Sequence, residues 1–145
     1  MAEKTITEIQ DEVIEEFEVF EDWLDKYNYL IDISKSLPVV DEEYKKPQYL
    51  IEGCQSRVWL RAEMEDRKVV YTADSDAVIT KGIIALLIRV LSGRTPEEII
   101  NTELYFIDRI GLKENLSPTR SNGLVAMIKQ MKLYALAWQA KSSKK

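Results

Sequence analysis

In Tyr49-Leu50-Ile51-Glu52-Gly53-Cys54-Gln55-Ser56-Arg57-Val58-Trp59-Leu60-Arg61-Ala62-Glu63-Met64 the chain changes its hydrophobic period. Val58, Leu60, Ala62 and Met64 alternate with Arg57, Trp59, Arg61 and Glu63, the period-two pattern of a half-buried strand. Before it, Tyr49 and Ile51 alternate over a shorter stretch, which predicts a short strand turning at Gly53-Cys54-Gln55. After it, Glu65-Asp66-Arg67-Lys68 is a polar turn, and residues 69–73 are β-branched and aromatic, so a hairpin follows. These segments predict a small antiparallel sheet of about three strands.

Outside this stretch the period is helical. Ile6, Ile9, Val13, Phe17, Phe20, Leu24, Tyr27 and Ile31 recur at steps of three and four, as in an amphipathic helix. Asp22 is a capping residue type, so the segment reads as two helices meeting near Glu21. The acidic run Asp11, Glu12, Glu15, Glu16 and Glu18 reads as a solvated face, with partner docking as the alternative. Leu37-Pro38 closes the helical pattern, and residues 41–47 are a polar surface loop.

On the other side, Asp74-Ser75-Asp76 reads as the capped opening of a helix that is apolar nearly all round and therefore buried, ending at Ser92-Gly93. Thr95-Pro96-Glu97-Glu98 is a helix start with cap, N1 proline and capping-box glutamate, running to about Asn101. Residues 104–110 form a short helix ending at Gly111. The last helix begins near Ser117-Pro118-Thr119 and carries Leu124, Met127, Ile128, Met131, Tyr134, Ala135 and Trp138 on one stripe. Residues 141–145 read as a frayed lysine-rich tail. The order of helices, small sheet and helices is α+β, with residues 1–145 forming a single domain.

Composition narrows the chemistry. The chain has 145 residues, 46% of them hydrophobic, enough for one ordinary core. Its net charge of −5 argues against phosphate-backbone binding, so no nucleic-acid partner is expected. Trp59 then reads as a packing residue, since no basic groove accompanies it. No signal-peptide pattern opens the sequence, and the apolar run at residues 83–88 is too short to span a bilayer, so no membrane partner is expected. There is no histidine and one cysteine, Cys54. That excludes Ser-His-Asp and Cys-His sites, mixed Cys/His zinc sites and a CxxC pair, as well as a four-cysteine cluster held by one chain. An unpaired thiol points to a reducing compartment, hence a cytoplasmic location.

Cys54 is the first candidate site residue. A free cysteine often behaves as a small buried hydrophobe, but the loop setting and the neighbouring Gly53, which leaves room for a close approach, favour a working thiol. Arg57 and Arg120 are candidates for favouring an anionic sulfur, against an ordinary surface or ion-pair role. Asp74 and Asp76 could be metal ligands or an acid/base pair, although caps are the commoner use of aspartates at a helix start.

Three separated motifs resemble the SufE family of sulfur acceptors. They are Gly53-Cys54-Gln55-Ser56-Arg57-Val58-Trp59, Ala73-Asp74-Ser75-Asp76-Ala77 with Lys81-Gly82, and Pro118-Thr119-Arg120-Ser121-Asn122-Gly123-Leu124 with Met127. The resemblance implies an α+β fold similar to the iron–sulfur scaffold IscU. It further implies that Cys54 takes persulfide sulfur from a SufS-type cysteine desulfurase, stimulates that enzyme and passes the sulfur on for iron–sulfur cluster assembly. Gly53, Gln55, Ser56, Arg57, Asp74, Asp76 and Arg120 would support the loop or contact partners. Pyridoxal phosphate would belong to the desulfurase, leaving this chain with no cofactor, no metal and no independent catalysis. The alternatives are a carrier serving tRNA or cofactor thiolation, a one-cysteine thiol peroxidase, and a non-catalytic interaction module.

Overall fold

A computed structural model describes residues 4–54 and 56–143. Thr5 and Glu8 form a reciprocal capping box at the start of α1 (Ile6–Glu18). Asp22 accepts from the Asp25 N–H at 3.0 Å and starts α2 (Trp23–Ser34), so the long amphipathic pattern is two helices, as the capping residue suggested. Two 3₁₀ turns (Glu42–Tyr44 and Pro47–Tyr49) lead to β1 (Val58–Glu65) and β2 (Lys68–Ser75). These strands pair antiparallel from Val58↔Ser75 to Glu65↔Lys68. Asp66 (φ 50°) and Arg67 (φ 68°) form the connecting two-residue turn, whose twist matches that of the strands.

Among the described residues the sheet has two strands, not about three. Leu50 makes only a single bridge to Trp59, with the Ile51 N–H donating to the Val58 carbonyl at 2.9 Å. The 3₁₀ turn at Pro47 ends just before this bridge, and Gly53 at φ +93° turns the chain away just after it, so no ladder can grow. On the far edge, Val40 donates to Ala73, Ala73 donates to Pro38, and Val69 exchanges bonds with Gly93 and Arg94. Short segments thus cover the edge of β2.

Helix α3 (Val78–Leu91) is buried on nearly every side and packs against β2, α1, α2 and the last helix. It starts later than Asp74-Ser75-Asp76 suggested. Ser75 is still paired in the ladder, the cap is Ala77, and no side chain of the aspartates caps the helix. The Ser75 hydroxyl accepts from the Ala77 N–H instead, at 3.2 Å.

Thr95 and Glu98 form a second capping box on α4 (Pro96–Asn101). Helix α5 (Phe106–Arg109) is followed by Gly111 in the left-handed region and by one turn, α6 (Leu112–Asn115), which the sequence pattern did not reveal. The last helix, α7 (Pro118–Ser143), continues into the lysine-rich end as far as Ser143. It is tied to the hairpin at three levels: Tyr71 to the Met131 carbonyl (2.6 Å), Tyr134 to Leu60 (3.0 Å) and Trp138 to Ala62 (3.3 Å).

The acidic face of α1 is not wholly solvated. Asp11, Glu15 and Glu18 are exposed, whereas Glu12 and Glu16 turn to Arg89 of α3, and Glu16 also accepts from Tyr29. The Arg89 hydrogen bonds hold the Glu16 carboxyl below its ordinary range despite partial burial. Buried Gln10 fastens α1 at its other side, donating to the Glu103 carbonyl and accepting from the Phe106 N–H.

Helices α2 and α3 meet tightly at Gly82. A β-carbon there would fall on the Leu30 carbonyl oxygen of α2, with the carbonyl carbon 3.0 Å away. At Gly93 (φ +80°) an added β-carbon meets nothing within 4 Å, so only backbone strain opposes it. Gly82→Ala should therefore destabilise by about 3 kcal/mol, and Gly93→Ala by about 1 kcal/mol. Urea denaturation of both variants checks this; equal losses would show that α2 and α3 do not close to backbone contact at Gly82.

Candidate functional site

The loop carrying Cys54 leaves the Leu50–Trp59 bridge, turns at Gly53 and rejoins β1 at Val58. Gly53 lies against α7, where a β-carbon on it would come to 3.3 Å from that of Ala126, and its φ of +93° disfavours any other residue. The far end of the loop is tied to the end of β2. The Arg57 N–H donates to Asp76 Oδ1 (3.1 Å), and the Arg57 carbonyl accepts from the Ser75 hydroxyl (2.8 Å) and the Asp76 N–H (3.3 Å).

Asp74 braces the same corner. Its carboxylate meets Lys45 at 2.6 Å, Lys81 at 3.3 Å and the Ser75 N–H at 2.8 Å. Burial raises its pKa, but Lys45, the Ser75 amide and Lys81 outweigh that and hold it below the ordinary value. Lys45 also pairs with Glu42 and lies 5.7 Å from the centre of the Trp59 ring.

Between these anchors the Cys54 thiol rests on α7, with Sγ 3.6 Å from the Gly123 carbonyl, which accepts its weak hydrogen bond. A β-carbon at Gly123 would stand 3.5 Å from the sulfur, an ordinary van der Waals contact. Cys54 is half-buried, and burial pushes its pKa above the ordinary thiol value. The thiol is therefore protonated at neutral pH in this arrangement.

The sulfur lies at the wall of a cavity of about 330 Å³. Ile83 and Met127 supply its apolar lining, Thr80 and Ser56 its hydroxyls, and Ser117 and Arg120, both exposed, stand at the start of α7. The Ser117 hydroxyl accepts from the Arg120 N–H at 3.3 Å, which fixes this first turn.

Of the residues singled out in the sequence, the cavity gathers Cys54, Ser56 and Arg120. Gly53 shapes the turn, and Arg57 acts through its backbone while its side chain is exposed. Asp74 and Asp76 hold loop and strand ends, and among the described residues no three of His, Cys, Asp and Glu are placed to hold one metal ion. Gln55 lies outside the described residues. Thr80, Ile83, Ser117, Gly123 and Met127 were not foreseen as neighbours of the thiol. Gly123 and Met127 stand in the third motif of the family resemblance, which does not itself say that this motif meets the thiol.

Fold and site together define a small α+β protein that presents one thiol on an anchored loop beside a mixed polar and apolar cavity. The sequence matches the SufE family, described as the Fe-S metabolism associated domain, over residues 11–135, and the chain belongs to that family. It is 38% identical over 139 residues to an uncharacterized SufE-like protein of Synechocystis, covering 96% of this chain and 87% of that protein. It is 42% identical to SufE-like protein 1, chloroplastic/mitochondrial, of Arabidopsis thaliana, covering 90% of this chain but only 35% of that longer protein. A solution structure of a hypothetical protein from Thermus thermophilus shares the fold, with a TM-score of 0.73 at 21% identity over 89% of this chain and 94% of that one. Among the described residues no helix is long and apolar enough to cross a membrane.

The raised thiol pKa has a stability consequence. Because the unfolded chain ionises first, stability falls as pH rises past the ordinary thiol value towards the folded one. Cys54→Ser should be less sensitive to pH than the wild type across that alkaline window, and coincident pH–stability curves would contradict the assignment. In the same protein, Asp76→Ala should speed labelling of Cys54 by a thiol reagent and lower stability by about 1 kcal/mol, the loss of one charge-assisted hydrogen bond.

Proposed function

We propose that the protein is a sulfur acceptor and carrier: Cys54 takes sulfur from the persulfide of a pyridoxal-phosphate cysteine desulfurase of the SufS type and hands it on for iron–sulfur cluster assembly. The observation that carries this reading is the lone thiol on an anchored loop at a cavity wall, in a member of a family associated with Fe–S metabolism. The chain has one thiol and no histidine, a set suited to carrying a sulfur atom rather than coordinating a cluster by itself.

The transfer balances without an added oxidant or reductant. Cys54, as thiolate, attacks the terminal sulfur of the donor persulfide; a new S–S bond forms on Cys54, and the donor S–S bond breaks. The electron pair and negative charge leave on the donor cysteine, now a thiolate. Cys54 must first lose its proton, which its half-buried position opposes. Swinging the loop about Gly53 would bring the sulfur out of the pocket and into the partner's site, where desolvation no longer holds the proton on. Accepting sulfur clears the donor cysteine for another turnover, which is how the carrier stimulates the desulfurase. This exchange belongs to a reducing compartment such as the cytoplasm, with pyridoxal phosphate on the partner alone.

Incubation with the desulfurase, cysteine and pyridoxal phosphate should add one sulfur mass to the Cys54 peptide and raise desulfurase turnover, and Cys54→Ser should do neither. An absent adduct, or turnover raised equally by Cys54→Ser, would overturn this reading. Peroxide consumption through a Cys54 sulfenic acid would replace it with a peroxidase.

A further inference from the structure

Thr80 is the one hydroxyl-bearing residue of α3 and lies buried in its first turn. The residue is 7% exposed and lines the same cavity as Cys54. A threonine in a helix commonly turns its hydroxyl back to a carbonyl three or four residues earlier. Here the Ala77 carbonyl takes the Lys81 N–H at 2.8 Å, and among the described residues no protein group bonds the Thr80 hydroxyl. Nor is any side-chain oxygen among the described residues both sealed from solvent and unpaired. The Thr80 hydroxyl therefore reaches open space, and the space that this buried residue lines is the cavity. A hydroxyl that faces that space has its hydrogen free for a partner that enters the cavity.

We propose that this partner is the outer sulfur of the Cys54 persulfide, which makes Thr80 a sulfur-binding residue of the loaded carrier. The inference rests on the carrier reading given above. The geometry suits it: the thiol stands at one wall, the volume of about 330 Å³ exceeds what one added sulfur needs, and Ile83 and Met127 supply an apolar surround. The thiol uses its own hydrogen on the Gly123 carbonyl, whereas a persulfide anion has only lone pairs to offer and needs donors. The Thr80 hydroxyl is such a donor, and exposed Arg120 at the rim adds positive charge. Donation to the outer sulfur stabilises the anion, lowers its apparent pKa and keeps it folded in, away from reductants.

The test compares Thr80→Val, which keeps the shape and removes the hydroxyl, with Thr80→Ser, which restores it. Cys54 is loaded in the intact protein in two ways, by inorganic polysulfide and by the desulfurase with cysteine. In Thr80→Val the persulfide should be stripped by a small thiol about ten-fold faster, with its apparent pKa raised by about one. Thr80→Ser should return both towards wild type, and thermal unfolding with labelling of the unloaded thiol should be unchanged in either variant. Equal persulfide lifetimes and pKa in wild type and Thr80→Val would overturn the inference, as would Thr80→Ser behaving like Thr80→Val. If the desulfurase fails to load Cys54 while the polysulfide-loaded protein still shows the Thr80 dependence, the carrier reading fails and the sulfur site stands. Loading by the enzyme without a Thr80 dependence gives the reverse.

Discussion

Helix α3 is apolar on nearly every side, and the rest of the molecule is arranged to keep water from it. An isolated helix of this kind would expose most of its side chains at roughly 25 cal/mol per Å² of apolar surface. Helix α2 closes on it to backbone contact at Gly82, β2 covers a second side, and α1 and α7 cover the remainder. The cover thins at the N-terminal end, where β2 gives way to the helix and α7 begins. Thr80 and Ile83 face the cavity there, and the Cys54 loop closes over the gap. The site is thus the place where the packing of a buried helix is left incomplete.

That placement sets opposing demands on the sulfur. Lying on Gly123 and half-buried, the thiol is held towards its protonated form and is a poor nucleophile. The loop is meanwhile anchored at its far end by Arg57, Ser75 and Asp76, with Asp74 bracing the corner through two lysines. Under the carrier role proposed above, a thiol quiet at rest would limit premature oxidation. In the proposed loaded state the same shelter calls for a group in the cavity that can satisfy an anionic sulfur.

Much of the architecture was legible because it is written in local chemistry. Asp22, Thr95-Pro96-Glu97-Glu98 and the alternation from Val58 to Met64 act within a few residues of themselves, and each forms the element its pattern implies. Misreadings arose where a residue had a distant claimant. Asp76 matches the cap pattern, yet the Arg57 amide takes its carboxylate, and Asp74 is held by Lys45 and Lys81. Glu12 and Glu16 sit in an acidic run that looks solvated, but Arg89 lies in a helix more than seventy residues away along the chain. The third strand failed for a local reason that alternation alone does not carry, a 3₁₀ turn on one side and a left-handed glycine on the other.

By itself the sequence determined the helix and strand periods, the α+β class and the reduction of soft-nucleophile chemistry to a single thiol, since these follow from residue type and spacing alone. Only the tertiary structure decided what surrounds that thiol. Gly123 and Met127 come from the last helix, Thr80 and Ile83 from the buried one, and Ser56 from the loop itself. These residues are separated by tens of positions and meet because apolar burial, a non-directional force, drives their elements together. Which side chains share the resulting cavity is set by packing, and Thr80 and Ile83 carry no mark of it in their own neighbourhoods.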